Sequence, residues 1–463
     1  MKRVRVVLPL LFVLSAAQLT SAQQLKKRGV IGVVPAPVSE AIARYVGLPK
    51  AEGVLIQQVV PNTTAERIGI QEKDVLTKVN GQPIKGPQEL IAFSQKLTEG
   101  DAVSVTLIRD KKEQVLSGKA VARANEVAPD LELVYDEFPF QNGYIRALVK
   151  RQKGTAGKKQ PVVYFIQGAS CMTMGYLPPV DPYRMATDQL ARKGYAVYMV
   201  EKPGMGDCDG TQPCAEIGFN TELAAFQKGY EKLLTLDWVD KDNVFIFGHS
   251  LGGIVAPLLA EQFKPRGVVV YGTVLRSWHD YMIDILRDQR TLEGIDYAEA
   301  EVDLQRVREP LFRYFYQKKS PDDLVKENPA LGRAFAERMA YDGKGHLFGR
   351  HYSFWQELNE KNLYDAWKKT DAHVLAIYGE ADIAALKPDD HVQIANVVNR
   401  YHPGKGEYFL LPKTDHGLVE VGSLQEFLAI KDSPEYEQLL RNKFNTRLID
   451  KLDLWMKEKS RRS

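Results

Sequence analysis

From Val162 onward, short apolar runs alternate with segments whose apolar residues recur every three or four positions. The runs are "VVYFIQG", "YAVYMVEKPG", "NVFIFG", "RGVVVYG", "HVLAIYG" and "EYFLLP". A run apolar at successive positions predicts a strand buried on both faces. Between the runs, "PYRMATDQLARKG", "FNTELAAFQKGYEKLLTL", "GGIVAPLLAEQF" and "DDHVQIANVVNRY" have helical spacing, and a last helix is expected near 435–457. This order predicts an α/β fold: a mostly parallel, doubly wound sheet with helices on both faces. The rhythm breaks between Ser277 and Trp367, where the chain is mostly helical and mixes aromatics, arginines and acids. That insert is read as a helical cap over the sheet's C-terminal edge.

Residues 26–122 follow a different pattern and form a small α+β unit. "RGVIGVV", "EGVLIQQVVP" and "DAVSVTLIRD" read as strands, "VSEAIARYVGL" and "PQELIAFSQKL" as helices. Ala65 to Ile68 is a short helix, Asp74 to Val79 a strand, and Asn80-Gly81 a tight turn. Residues 123–132 are expected to link this unit to the larger one at 133–457. "KRQKGTAGKKQ" at 150–160 reads as a solvated loop.

Within this framework "FGHSLGG" stands where a nucleophile would be presented. Gly248-His249-Ser250-Leu251-Gly252 follows a buried strand and opens a helix, the context of a strained strand-to-helix turn. The glycines remove side chains that would crowd the turn, and the helix N-terminus favours developing negative charge. A serine hydroxyl needs a base. Catalytic groups gather at the carboxyl ends of strands in open α/β sheets. Of eight histidines, His416, in the loop after "EYFLLP", fits best; His402 precedes that strand and His249 packs beside the turn. Asp382, beyond "VLAIYG", is the candidate acid, with Glu380 and Asp415 as rivals. Two backbone N–H groups are needed for an oxyanion, and those of Leu251 and Ala169 are the candidates, with Gly168 giving clearance.

Composition changes this picture little. The 463 residues are 44% apolar and 26% charged with a net charge of +3, which fits a globular protein of two or three domains and gives no nucleic-acid footprint. The histidines and cysteines lack metal-site spacing and no nucleotide fingerprint occurs, so neither metal nor cofactor is expected. The first 22 residues do change it. Lys2, Arg3 and Arg5 precede an apolar stretch from Val6 to Leu14, and Thr20-Ser21-Ala22 offers a cleavage site, as in a secretory signal peptide. The stretch is short of the roughly 20 residues of a spanning helix, so no membrane span is expected after processing. Export makes Cys208 and Cys214, which bracket "CDGTQPC", an expected disulfide, leaving Cys171 as a packed thiol.

Two resemblances extend the reading. "RGVIGV" at 28–33, "GVLIQQVVPNTTAERIGIQEKDVLTKVNGQPI" at 53–84 and the helix at 87–97 resemble a PDZ domain of the permuted type in bacterial HtrA-like exported proteins. The resemblance implies that backbone N–H groups of Val30, Ile31, Gly32 and Val33 face a peptide C-terminus, with the peptide added as a strand beside the helix. "FIQGAS", "VEKPGMGDCDG", "FIFGHSLGG", "IYGEADIAA" and "TDHGL" resemble, in that order, a lidded α/β-hydrolase domain over about 133–457. Gln167 departs from that pattern, since many relatives carry histidine before the glycine. The resemblance implies an exported, periplasmic or secreted, serine hydrolase that cleaves carboxylic esters or amides of short peptides through an acyl-enzyme. The alternative is an inactive hydrolase fold that binds protein C-termini through its PDZ domain. A trypsin-like HtrA protease is excluded by domain order, because the PDZ would follow the protease.

Overall fold

The computed structural model describes residues 24–461; the leader-like segment 1–22 lies outside them. The smaller unit is built on an antiparallel sheet of strands Val33–Pro37, Val54–Val59, Val75–Val79, Ala102–Arg109 and Lys112–Lys119, in that order. Asn80 (φ +48°) and Gly81 (φ +77°) make the tight turn that pairs Val75–Val79 with Gln82–Pro83. Helix Pro87–Lys96 packs Leu90 onto Ile31, Val54 and Val105 in the unit's own core. "RGVIGVV" is two strands rather than one. Gly29–Val30 pairs with Val121–Ala122, and Val33 starts the sheet's edge strand. The break falls at Gly32, whose φ of +82° and closeness to Thr63 leave no room for a Cβ.

The larger unit holds an eight-stranded sheet. Its strands are β1 (Leu131–Phe140), β2 (Gly143–Gln152), β3 (Gln160–Ile166), β4 (Ala196–Val200), β5 (Val239–His249), β6 (Gly267–Tyr271), β7 (His373–Gly379) and β8 (Gly406–Leu411). They lie in the order β1-β2-β4-β3-β5-β6-β7-β8. Strand β2 is antiparallel to both neighbours, and every pair from β4 to β8 is parallel. The apolar runs serve two cores. Tyr164, Ile166, Val244 and Ile246 face one layer of helices, and Val163, Phe165, Phe245 and Phe247 face the other. The insert is helical as expected, from Trp278–Asp284 to Leu363–Lys369, with one small hairpin of His346–Leu347 and Arg350–His351.

Four local expectations are corrected. The linker is shorter than 123–132, because Leu131 already begins β1. Lys150 and Arg151 belong to β2 and are buried, Lys150 against Glu126 and Asp188 at 2.8 Å and Arg151 against Glu132 at 2.8 Å. The solvated loop is therefore only 153–159, because Gln152 ends β2 and buried Gln160 begins β3. The last helix is two, Pro434–Asn442 and Thr446–Lys459, separated where Phe444 bridges to Val419 and Asn445 caps the second. Finally, the disulfide joins Cys171 to Cys214, not Cys208 to Cys214. Cys208 turns inward: its Sγ takes the Arg146 N–H at 3.5 Å and lies 3.6 Å from the Lys202 carbonyl, inside the main core. Cys214, at the other end of the same loop, meets Cys171 with 5.8 Å between Cα atoms.

Candidate active site

Ser250 sits at the tip of β5 with φ +55°, a left-handed conformation that a serine adopts only when its surroundings impose it. Close packing imposes it here. A Cβ on Gly248 would stand 2.2 Å from the Gly252 carbonyl oxygen, and one on Gly252 would stand 2.2 Å from that of Ile166. The Ser250 N–H donates to the Tyr271 carbonyl at 2.8 Å, and helix Gly252–Phe263 leaves immediately behind it.

Asp382 leaves β7 and His416 leaves β8, both at the carboxyl edge. The His416 Nδ1 stands 2.9 and 3.0 Å from the two Asp382 carboxylate oxygens. Asp382 is buried, and its Oδ1 also accepts the N–H groups of Ala384 and Ala385 at 2.9 and 2.8 Å. Burial alone would raise the Asp382 pKa and lower that of His416. The charge attraction and hydrogen bond between them outweigh it, so the carboxylate is held below its usual range and the imidazole above its own. Of the rival acids, Asp415 is bound to Tyr436 and the Val419 N–H, and Glu380 accepts the Lys413 N–H.

Ser250, Leu251 and His416 line one cavity of about 20 Å³, bordered by Trp278 and Tyr281 of the insert. That space suits a water molecule. No hydrogen bond joins the Ser250 hydroxyl to the ring among the described residues; such contacts commonly tighten only with substrate in place. The N–H groups of Leu251 and Ala169 are both unpaired among the described residues. Gly168 lies against the serine, since a Cβ there would be 3.1 Å from Ser250 Cβ.

Several residues around the site were not singled out by the sequence. His249 was expected to pack beside the turn, and it also bridges two loops. Its Nε2–H donates to the His416 carbonyl at 2.8 Å and its Nδ1 accepts from Tyr183 Oη at 2.6 Å, while Tyr183 Oη accepts the Gly168 N–H at 3.3 Å. Burial, with the His416 ring nearby, pulls its pKa down to about 3, so the ring is neutral. His391, buried and likewise lowered to about 4 chiefly by burial, accepts the Thr273 N–H at 3.1 Å. Behind the 168–169 loop lie three buried charges. Lys202 Nζ stands 2.6 Å from the Gly168 carbonyl and 3.1 Å from Glu222, and Arg350 of the insert donates to the Ala169 carbonyl at 2.8 Å and to Glu222 at 2.7 Å. The one sequence signal for them is Glu201-Lys202, a charged pair directly after a fully apolar strand.

In the smaller unit, Val30, Ile31, Gly32 and Val33 sit together opposite helix Pro87–Lys96, but not all offer a free N–H. That of Ile31 donates to Ser94 Oγ at 3.3 Å. Beyond Val33 the edge strand carries Pro35 and Pro37. Both backbone groups of Ile56, the cross-strand partner of Pro35, are committed to Lys73 and Asp74. The backbone of Pro35, and of Pro37 two residues on, therefore faces the open edge, which lacks an N–H at both positions.

The alpha/beta hydrolase family model matches residues 165–428, and the PDZ domain model matches residues 29–119. A probable periplasmic serine endoprotease DegP-like of Rhizobium meliloti is 35% identical over 105 residues, 22% of this chain and 21% of that protein. The chain thus spans about a fifth of that relative's length. A fungal esterase from Rhizomucor miehei aligns over 72% of this chain and 83% of its own at 15% identity, with a TM-score of 0.40. A putative dipeptidyl aminopeptidase IV from Bacteroides ovatus aligns over 74% of this chain and 40% of its own at 16% identity, with a TM-score of 0.39. No helix among the described residues is long and apolar enough to cross a membrane.

Proposed function

This chain belongs to the alpha/beta hydrolase family and carries a PDZ domain, and we propose that it is an exported serine hydrolase acting on carboxylic esters or the amides of short peptides. Ser250 attacks the acyl carbonyl, and His416 takes its proton and returns it to the leaving group. Asp382 holds the ring in the tautomer with Nδ1–H and stabilises the imidazolium. The Leu251 and Ala169 N–H groups bind the oxyanion, and water releases the acyl-enzyme. The observation that carries this reading is the left-handed Ser250 sharing a small cavity with a His416 whose other nitrogen is bound to buried Asp382.

Cap opening admits the substrate, and the aromatic Trp278 and Tyr281 bound the acyl pocket. The PDZ groove takes the C-terminus of a peptide or partner, held by its last residues because the edge beyond Val33 lacks donors at Pro35 and Pro37. The leader-like pattern of residues 1–22 and the periplasmic description of the DegP-like relative support export.

A fluorophosphonate probe, read by intact mass on the mature protein, tests the enzyme. One adduct per chain is expected, and none on Ser250→Ala. A folded wild type that stays unlabelled, also with the cap loosened by mild denaturant, overturns the enzyme and leaves the C-terminus-binding scaffold. A panel of acyl esters and aminoacyl amides then separates the two substrate classes.

A further inference from the structure

Lys202 leaves the end of β4 and is completely buried. A buried lysine costs free energy unless it is paired and hydrogen-bonded, and replacing a buried ion pair by apolar residues is often neutral or stabilising. Its surroundings show what the charge is spent on. Its Nζ donates to the carbonyl of Gly168 at 2.6 Å and reaches that of Ala169 at 3.2 Å, and it forms an ion pair with Glu222. Glu222, on helix Phe219–Leu234, also holds Arg350. Arg350 comes from the hairpin of the insert, stacks 3.8 Å over the Phe354 ring and donates to the Ala169 carbonyl. Two cations, one from the sheet and one from the cap, thus take two successive carbonyls of one loop.

The geometry of a peptide makes this consequential. In a trans peptide the C=O of one residue and the N–H of the next lie in one plane and point in opposite directions. Fixing the Gly168 carbonyl on Lys202 therefore aims the Ala169 N–H away from Lys202. Gly168, without a side chain, cannot resist a rotation of that plane by itself.

We infer that Lys202 and Arg350 are positioning residues for the oxyanion site: Lys202 fixes the Gly168–Ala169 peptide so that the Ala169 N–H faces the reacting carbonyl, and Arg350 secures the following carbonyl only while the cap is seated. The inference rests on the serine-hydrolase reading above. Neither side chain touches substrate. Both act through the loop, and the cap becomes part of the machinery that stabilises the oxyanion as well as a cover for the site.

The test is steady-state hydrolysis of p-nitrophenyl acetate by Lys202→Met, Glu222→Gln and Arg350→Met, beside fluorophosphonate labelling of the wild type. Lys202→Met leaves Glu222 and Arg350 as a neutral pair. It is expected to lose about 100-fold in kcat, the scale of one oxyanion donor, with KM and the pH midpoint of kcat/KM unmoved. Glu222→Gln removes the counter-ion shared by Lys202 and Arg350, so burial drives Lys202 towards its neutral amine, which still donates to Gly168. On protein that circular dichroism shows folded, kcat is expected to stay within about threefold of wild type, far short of a lost oxyanion donor. Equal losses in these two variants, or no loss in Lys202→Met, overturn the inference while a labelled wild type leaves the hydrolase standing. Should Lys202→Met not fold, Arg350→Met carries the test: kcat falling at least about tenfold at constant KM supports it, on the same donor scale, and an unchanged kcat overturns it. A wild type that neither labels nor turns over overturns both readings.

Discussion

His416 gains its basicity chiefly from Asp382, with a smaller contribution from Asp415, which makes the pH profile a sharp test of its role. The base must be neutral to accept the serine proton, so activity falls as pH drops through its pKa. Burial pulls that pKa down, and the Asp382 carboxylate overrides burial and holds it above the ordinary 6.5. The acid limb of kcat/KM is accordingly expected above pH 6.5. In Asp382→Asn the charge is gone and burial prevails, so the limb should move below that of wild type. The change also lets the ring take the wrong tautomer, and kcat is expected to fall by about 10⁴. A limb that stays in place in Asp382→Asn would exclude this pairing as its source. His249 cannot supply the limb, because its two ring nitrogens are already engaged and its pKa of about 3 keeps it neutral throughout.

At the scale of elements, the cysteine loop gives a separate prediction. The bond between Cys171 and Cys214 closes 43 residues, worth about 4 kcal/mol in the chain-entropy model. Peptide mapping after alkylation of native protein should recover Cys171 linked to Cys214. Cys208 should be alkylated only after unfolding, since burial keeps it from reagent and pushes its thiol pKa up. A peptide linking Cys208 to Cys214 would refute the pairing. The six parallel strands, the helical insert and the turn at Ser250 could be read, because each follows from an apolar run and the residues just past its end; β1 and β2 could not, because their apolar residues are interrupted by charged ones such as Asp136, Glu137 and Arg146. Cysteine pairing could not, because closeness along the chain says nothing about which way Cys208 points, and its hydrogen bond from Arg146 comes from a strand sixty-two residues away. The same holds for Lys150 and Lys202. A lysine reads as solvent-exposed until its carboxylate partners, Glu126, Asp188 or Glu222, are brought beside it by the fold.

Across the whole molecule, the PDZ domain is joined to the hydrolase by more than a linker. Arg28, two residues before Val30, lies half-buried between the units. Its backbone N–H donates to Asp207 at 2.8 Å, and its guanidinium donates to the carbonyls of Gly206 at 2.8 Å and Cys208 at 2.7 Å. Arg123, on the segment leaving the PDZ domain, stacks 4.9 Å over Tyr176, whose hydroxyl binds the same Asp207 at 2.7 Å. Both ends of the domain therefore converge on the loop that carries Cys208 and Cys214. Hydrogen bonds to a charged group contribute about 1.5–3 kcal/mol each, so the two guanidinium bonds add to those that Leu25 makes with Glu137 and Arg146 just before the domain. Arg28→Ala removes its two side-chain bonds and leaves the backbone one. Wild type should unfold in one calorimetric transition, and Arg28→Ala should separate an earlier PDZ transition from that of the hydrolase. Hydrolysis of p-nitrophenyl acetate below the first transition should be retained, since Ser250, Asp382 and His416 leave β5, β7 and β8, and the side-chain bonds of Arg28 go to Gly206 and Cys208 rather than to Ala169 or Lys202. A single transition in the variant at the wild-type temperature would show that Arg28 does not couple the two domains.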